Sequence, residues 1–209
     1  MIRGGYAVAM PTIKPTLLVS AVTPESIIET VYQPDTTTTA FVVATDDGIA
    51  SVPKMTLAGE TSEPISPANN LLKHRAVLLP SEAVEYGTEA ELLAEIEAYL
   101  SRFVSLPPNV RALTAAYILL TWVYDAFNEL PYLRFRGDYG TGKTRALIAV
   151  GSVCYKAFFA SGASTVSPIF HTLDTFRGTL IFDEADFRFS DEKAELVKIF
   201  NNGHAKGFP

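Results

Sequence analysis

Hydrophobic and polar positions follow three different rhythms along the chain. From Thr36 to Leu57 the run TTTTAFVVATDDGIASVPKMTL is rich in β-branched residues, with Asp47-Gly48 near its middle, which predicts a β-hairpin or short meander. Upstream, Pro11, Pro15, Pro24 and Pro34 interrupt any long element. Downstream, ETSEPISPANN (Glu60–Asn70) has loop composition, and AVLLP (Ala76–Pro80) predicts one more strand. Residues 1–80 therefore read as a small β-rich region.

The period changes at Thr88. Thr88-Glu89-Ala90-Glu91 has the T-x-x-E form of a capping box, and Leu92, Leu93, Ile96, Tyr99, Leu100 and Phe103 follow at helical spacing. Pro107-Pro108 opens a second helix expected to run to about Asn128. Its segment ALTAAYILLTWVY (Ala112–Tyr124) is apolar all round, which predicts deep burial. A membrane span needs roughly 20 apolar residues, more than this run offers between Arg111 and Asp125. Residues 88–130 thus form a helical lead-in.

From residue 131 strands and helices alternate. Tyr132–Arg136 (YLRFR) predicts a strand, Gly137–Thr144 a loop and Arg145 to about Lys156 a helix. Ala157–Ala160 then predicts a strand, Ser167–Phe176 a helix and Thr179–Phe182 a strand ending at Asp183-Glu184. A last helix begins at Ser190, carries Leu196, Val197, Ile199 and Phe200 on one face, and stops at Gly203. This order argues for an α/β fold with a mostly parallel sheet flanked by helices over residues 131–209.

Composition changes the picture little. The 209 residues are 48% hydrophobic and 19% charged, enough for a core and unlike a disordered chain. The net charge of −6 is uneven: residues 1–131 carry −8 and residues 132–209 carry +2, so a polyanion would prefer the C-terminal third. A single cysteine, Cys154, excludes an intrachain disulfide and a zinc knuckle, and His74, His171 and His204 stand apart without other ligands nearby. YAVAM near the N-terminus is too short for a signal-peptide core, so a soluble cytoplasmic protein with no membrane role is expected.

The chemistry concentrates in GDYGTGKT, Gly137–Thr144, which matches G-x-x-x-x-G-K-[ST] at every fixed position. In such a loop glycines let successive backbone N–H groups turn toward phosphate oxygens, and the following helix aims its positive end at the same charges. Lys143 would bring a cation to the β- and γ-phosphates, and the Thr144 hydroxyl would ligate Mg²⁺. Average residue frequencies make a chance match about 4 in 100,000 per starting position. A Gly-rich turn that happens to hold Lys-Thr is thus the weaker reading, more so between a strand and a helix.

The stretch TLIFDE places two acids at the C-terminal end of an apolar strand, where parallel sheets bind ligands. Asp183 suits the metal-holding role and Glu184 that of general base for an attacking water. Acids there can also serve as caps or ion-pair members, but the loop 39 to 46 residues upstream favours the nucleotide reading. The letters DEAD at Asp183–Asp186 do not make a DEAD-box helicase, whose acidic motif lies much farther from its loop.

Together, PYLRFRGDYGTGKT, ASGAS, FRGTLIFDEAD and NNGHAKGF resemble the ATPase core of phage- and plasmid-type helicases and primase-helicases, within the additional-strand P-loop class that includes AAA+ proteins and superfamily 3 helicases. The resemblance spans roughly Leu92–Pro209. It implies a nucleotide-binding set of Gly137, Asp138, Tyr139, Gly140, Thr141, Gly142, Lys143, Thr144 and Arg145. It further implies Mg²⁺ on Thr144 and Asp183, catalysis through Lys143 and Glu184, ATP as the nucleotide, and single- or double-stranded DNA moved by a homo-oligomeric ring. The class orders its sheet 5-1-4-3-2, and candidates for only strands one to three are present, so a C-terminally incomplete core is expected. Arg177 and Arg188 read as salt-bridge or solvated residues rather than arginine fingers. Arg134 and Arg136 sit oddly on a central strand, with Asp125 or Asp138 as candidate partners. A catalytically incomplete nucleotide-binding module and a small-molecule P-loop kinase are the alternative readings, the kinase disfavoured by Glu184 beside Asp183.

Overall fold

A computed structural model describes residues 16–161 and 166–183. The expectations for Glu184, Arg188, the helix from Ser190 to Gly203 and the tail lie outside the described residues. In chain order the elements are β1 (Thr16–Leu18), β2 (Ser20–Val22), β3 (Ile27–Gln33), β4 (Thr38–Thr45), β5 (Gly48–Val52), β6 (Met55–Leu57) and β7 (Glu60–Pro64). Then come α1 (Asn70–Lys73), α2 (Glu89–Phe103), α3 (Pro108–Trp122), α4 (Lys143–Gly151), β8 (Phe158–Ser161), α5 (Val166–Phe176) and β9 (Leu180–Asp183).

Seven strands lie between Thr16 and Pro64. An antiparallel meander β2-β3-β4-β5 lies beside a three-stranded sheet of order β1-β7-β6. The hairpin expected around Asp47-Gly48 is present one residue earlier. Thr45 pairs with Gly48, leaving Asp46-Asp47 as the two-residue turn. Glu60–Pro64, expected as loop, is instead strand β7, parallel to β1 and antiparallel to β6. The adjacent strand β6, joined by the Ala58-Gly59 turn, and the distant strand β1 flank it on both sides and override its polar composition. AVLLP makes only an isolated bridge, Val77 with Phe158. Its backbone nevertheless ties two regions together: the Leu78 N–H donates to the Ala157 carbonyl at 2.8 Å, and the Tyr32 N–H to that of Pro80 at 2.9 Å.

The helical lead-in follows its sequence signals. The Thr88 side chain accepts from the Glu91 N–H and the Glu91 carboxylate from the Thr88 N–H, a complete capping box at the start of α2. These bonds from Thr88 hold the Glu91 carboxyl below the usual carboxylate value. Helix α3 begins at Pro108 but stops at Trp122, short of Asn128, and a single 3-10 turn follows at Tyr124–Ala126. Nor is it buried all round. Only the stripe Thr114, Ala115, Ile118 and Thr121 is buried, whereas Leu113 is 65% exposed. One face suffices because α3 packs between α2 and the end of α4. There the Trp122 indole donates to the Val153 carbonyl at 3.0 Å and the Thr121 hydroxyl accepts from the Tyr155 N–H at 3.0 Å.

The chain is mixed α/β, and most of its sheet is antiparallel and lies in the N-terminal region; of the parallel sheet expected over residues 131–209, the described residues contain one two-stranded pair. Besides the β1–β7 pair, the parallel pairing is that of β8 with β9, from Phe158–Leu180 to Ser161–Asp183, joined through α5. Both faces of this pair are covered, as parallel strands require. Phe158, Ala160, Leu180 and Phe182 join a core with Ile65, Leu72, Val77, Ile169 and Phe176. Ile181 joins the second core, made by Leu100, Ile118, Val150, Cys154 and Ala157. Gly151 permits the approach of α4: a Cβ there would lie 2.7 Å from Ile181 Cγ1 and 3.1 Å from Phe159 Cε1. Tyr132–Arg136, expected as a central strand, belongs to no sheet among the described residues. Leu133 and Phe135 pack against the second core while Arg134 and Arg136 face solvent, so the two arginines need no buried partner.

Candidate nucleotide-binding site

The segment Gly137–Gly142 curls at the surface just before α4. Gly140 and Gly142 adopt left-handed φ values of +77° and +85°, which side-chain-bearing residues resist, and Gly142 is the N-cap of α4. The Thr141 hydroxyl and N–H both turn back to the Asp138 carbonyl, at 2.8 and 3.4 Å, closing the curl. Gly142 offers no side chain to cap α4, and the first N–H groups of a helix have no partner within the helix.

Lys143, the first residue of α4, folds over the loop. Its ammonium donates to the Gly137 and Asp138 carbonyls at 2.8 and 2.7 Å. Thr144 follows, and its hydroxyl donates to Asp183 Oδ2 at 2.8 Å. The two sequence-predicted metal ligands, 39 positions apart, are thereby brought together where the end of β9 meets the start of α4. Of the other predicted residues, Tyr139 is wholly exposed at the tip of the curl, and Arg145 is exposed one residue beyond Thr144. Glu184 is not among the described residues.

Whether these groups fit Mg²⁺ and a triphosphate is a matter of donor chemistry. Thr144 and Asp183 offer hard oxygens, the kind Mg²⁺ takes together with phosphate oxygens and water. The described residues include no group of three or more His, Cys, Asp or Glu able to hold a metal unaided. A cation here would complete its shell with phosphate oxygens and water. The Lys143 ammonium holds neutral carbonyls that it can exchange for charged phosphate oxygens, a stronger class of hydrogen bond. The residues present fit the group.

A second polar cluster lies away from the loop and was not legible in the sequence. Lys156, 1% exposed and at φ +43°, sits 2.6 Å from Glu29 of β3, an ion pair without hydrogen-bond geometry. The Tyr155 hydroxyl donates to the other Glu29 oxygen at 2.6 Å, and the Tyr155 ring lies 4.6 Å from the Lys156 ammonium. Burial pushes the lysine below its ordinary value despite Glu29, and burial together with the Glu29 charge pushes the Tyr155 phenol up. The cluster joins the N-terminal meander to the link between α4 and β8. Residues 127 positions apart leave no local signal of their contact.

His74 and His171 are exposed, as their isolation in the sequence suggested. No single helix among the described residues is long and apolar enough to cross a membrane; α2 and α3 meet at a 119° bend. No protein-family model, curated protein or solved structure matches the chain.

Proposed function

We propose that the chain is the nucleotide-binding part of a P-loop ATPase that takes ATP with Mg²⁺, of the kind that phage- and plasmid-type helicases use to move along DNA. The observation that carries this reading is the 2.8 Å bond from Thr144 to Asp183. It joins the first turn after a glycine curl to the C-terminal end of a parallel strand, the arrangement in which phosphate and its cation are held together.

In this reading the N–H groups at the start of α4 and along Gly140–Lys143 receive the phosphates, and Lys143 swings from the Gly137 and Asp138 carbonyls to the β- and γ-phosphate oxygens. Thr144 and Asp183 hold the Mg²⁺, which supplies positive charge against the charge developing on the phosphates. Glu184, following Asp183 in sequence, takes the proton of the attacking water. Arg134, Arg136 and Arg145, all exposed, give the loop a basic surround suited to a polyanion.

The test is titration with a fluorescent ATP analogue in Mg²⁺. Lys143→Ala removes charged hydrogen bonds worth about 1.5–3 kcal/mol, so binding weakens about 10- to 100-fold. Stimulation of ATP turnover by single-stranded DNA addresses the DNA partner. A wild-type chain that binds no nucleotide would refute the reading. One observation favours a module that binds without efficient turnover: Tyr132–Arg136, leading into the loop, joins no sheet among the described residues. Tight binding with negligible hydrolysis is its signature, and ordinary turnover by the chain alone excludes it.

A further inference from the structure

The pairing of β8 with β9 sets Ser161 directly beside Asp183. Which way these two side chains face follows from α4. The approach of Gly151 to both Phe159 and Ile181 puts those two residues on the face that α4 covers. Strand side chains alternate, so Ser161 and Asp183, two positions on, share that face. The bond from Thr144 to Asp183 Oδ2 confirms the direction for Asp183. The intervening Ala160 and Phe182 turn the other way, into the core with Phe158 and Leu180. Neighbouring strands lie about 4.8 Å apart, so a serine hydroxyl and a carboxylate side by side on one face meet directly or through one water.

We propose that Ser161 is a positioning residue of the cation end of this site. Its hydroxyl orients the Asp183 carboxylate, directly or through a water, toward the divalent cation that accompanies a nucleoside triphosphate. The assignment rests on the nucleotide-binding reading and adds to it a residue outside both the glycine loop and the acidic pair. Three hydroxyl and carboxylate groups from three elements then converge: Thr144 from α4, Asp183 from β9 and Ser161 from β8.

The experiment reads binding of a fluorescent ATP analogue to the full chain, in excess EDTA and across a Mg²⁺ titration, for wild type, Ser161→Ala, Ser161→Thr, Asp183→Asn and Lys143→Ala. Ser161→Ala is expected to raise the Mg²⁺ concentration needed for half-maximal enhancement of binding about five- to tenfold. Its affinity in EDTA and its melting temperature stay at the wild-type value. Ser161→Thr, which keeps a hydroxyl on a strand-compatible side chain, restores the midpoint, and Asp183→Asn sets the scale for complete loss. An unchanged Mg²⁺ midpoint in Ser161→Ala overturns the assignment, as does an equal loss of affinity with and without Mg²⁺. Wild-type binding that is absent, or that Lys143→Ala leaves intact, overturns the nucleotide reading itself and the Ser161 assignment with it.

Discussion

Replacing Glu29 by Gln tests how the N-terminal meander is held to the rest of the chain. The Lys156 side chain is fully buried and the Glu29 side chain 20% exposed, with 2.6 Å between their charges. Removing one member of a buried pair costs about 3–5 kcal/mol, because the remaining charge stays desolvated without a counter-charge. In Glu29→Gln the stranded group is the fully buried ammonium, which keeps the neutral glutamine amide and the Tyr155 ring at 4.6 Å but no counter-charge. A loss of about 3 kcal/mol is expected, a large part of the roughly 5–15 kcal/mol that holds a domain folded. Lys156→Met strands the other partner. That carboxylate keeps the Tyr155 hydroxyl at 2.6 Å and some contact with water, so the expected cost is only about 1 kcal/mol. The double variant removes both charges and should fall within about 1 kcal/mol of wild type. Urea unfolding followed by circular dichroism at pH 7 measures all three, with an unchanged denaturant slope as the check on comparability. Glu29→Gln costing under about 1 kcal/mol would refute this account. So would Lys156→Met costing as much as Glu29→Gln.

Three further outcomes are expected. The lowered Lys156 value makes stability rise with pH up to the ordinary lysine value of 10.5, because over that window the unfolded chain binds a proton that the folded chain lacks. The raised Tyr155 value acts oppositely, its contribution complete below 10.0 and lost as pH rises through the folded value. Tyr155→Phe should therefore leave a flatter or rising alkaline stability profile, and one that falls as in wild type would contradict the assignment. Gly151→Ala puts a methyl 2.7 Å from Ile181 Cγ1, and the overpacking should outweigh the gain in helix propensity by about 1 kcal/mol, lowering the melting temperature. The Cys154 thiol, pushed up to about 11 by burial, should react with a disulfide reagent at pH 8 at least about 100-fold more slowly in the folded protein than in urea.

Local signals decided a good deal without help from the fold. Thr88 with Glu91 announced the start of α2, Pro108 that of α3, and GDYGTGKT the curl and the helix after it, because capping, fixed φ and glycine torsions act within a few residues. The β-branched run around Asp46-Asp47 was enough for a hairpin, although pairing moved the turn by one residue. The apolar ends of Phe158–Ser161 and Leu180–Asp183 were legible as strands for the same reason.

What required tertiary structure was every feature that depends on a partner. Glu60–Pro64 is polar and became a strand only because β1 and β6 flank it, whereas Tyr132–Arg136 has a strand's composition but no described neighbour to pair with. The apolar circumference of α3 predicted full burial, yet packing covers one stripe, since burial reflects the surfaces that arrive as well as the helix itself. In the same way, the sequence supplies Thr144, Asp183, Ser161, Glu29 and Lys156 as separate letters. The parallel register of β8 with β9 and the close seat of α4 at Gly151 gather the first three, and the docking of β3 gathers the last two. Torsional preferences are written residue by residue, whereas a contact between distant residues exists only once the chain has closed the loop between them.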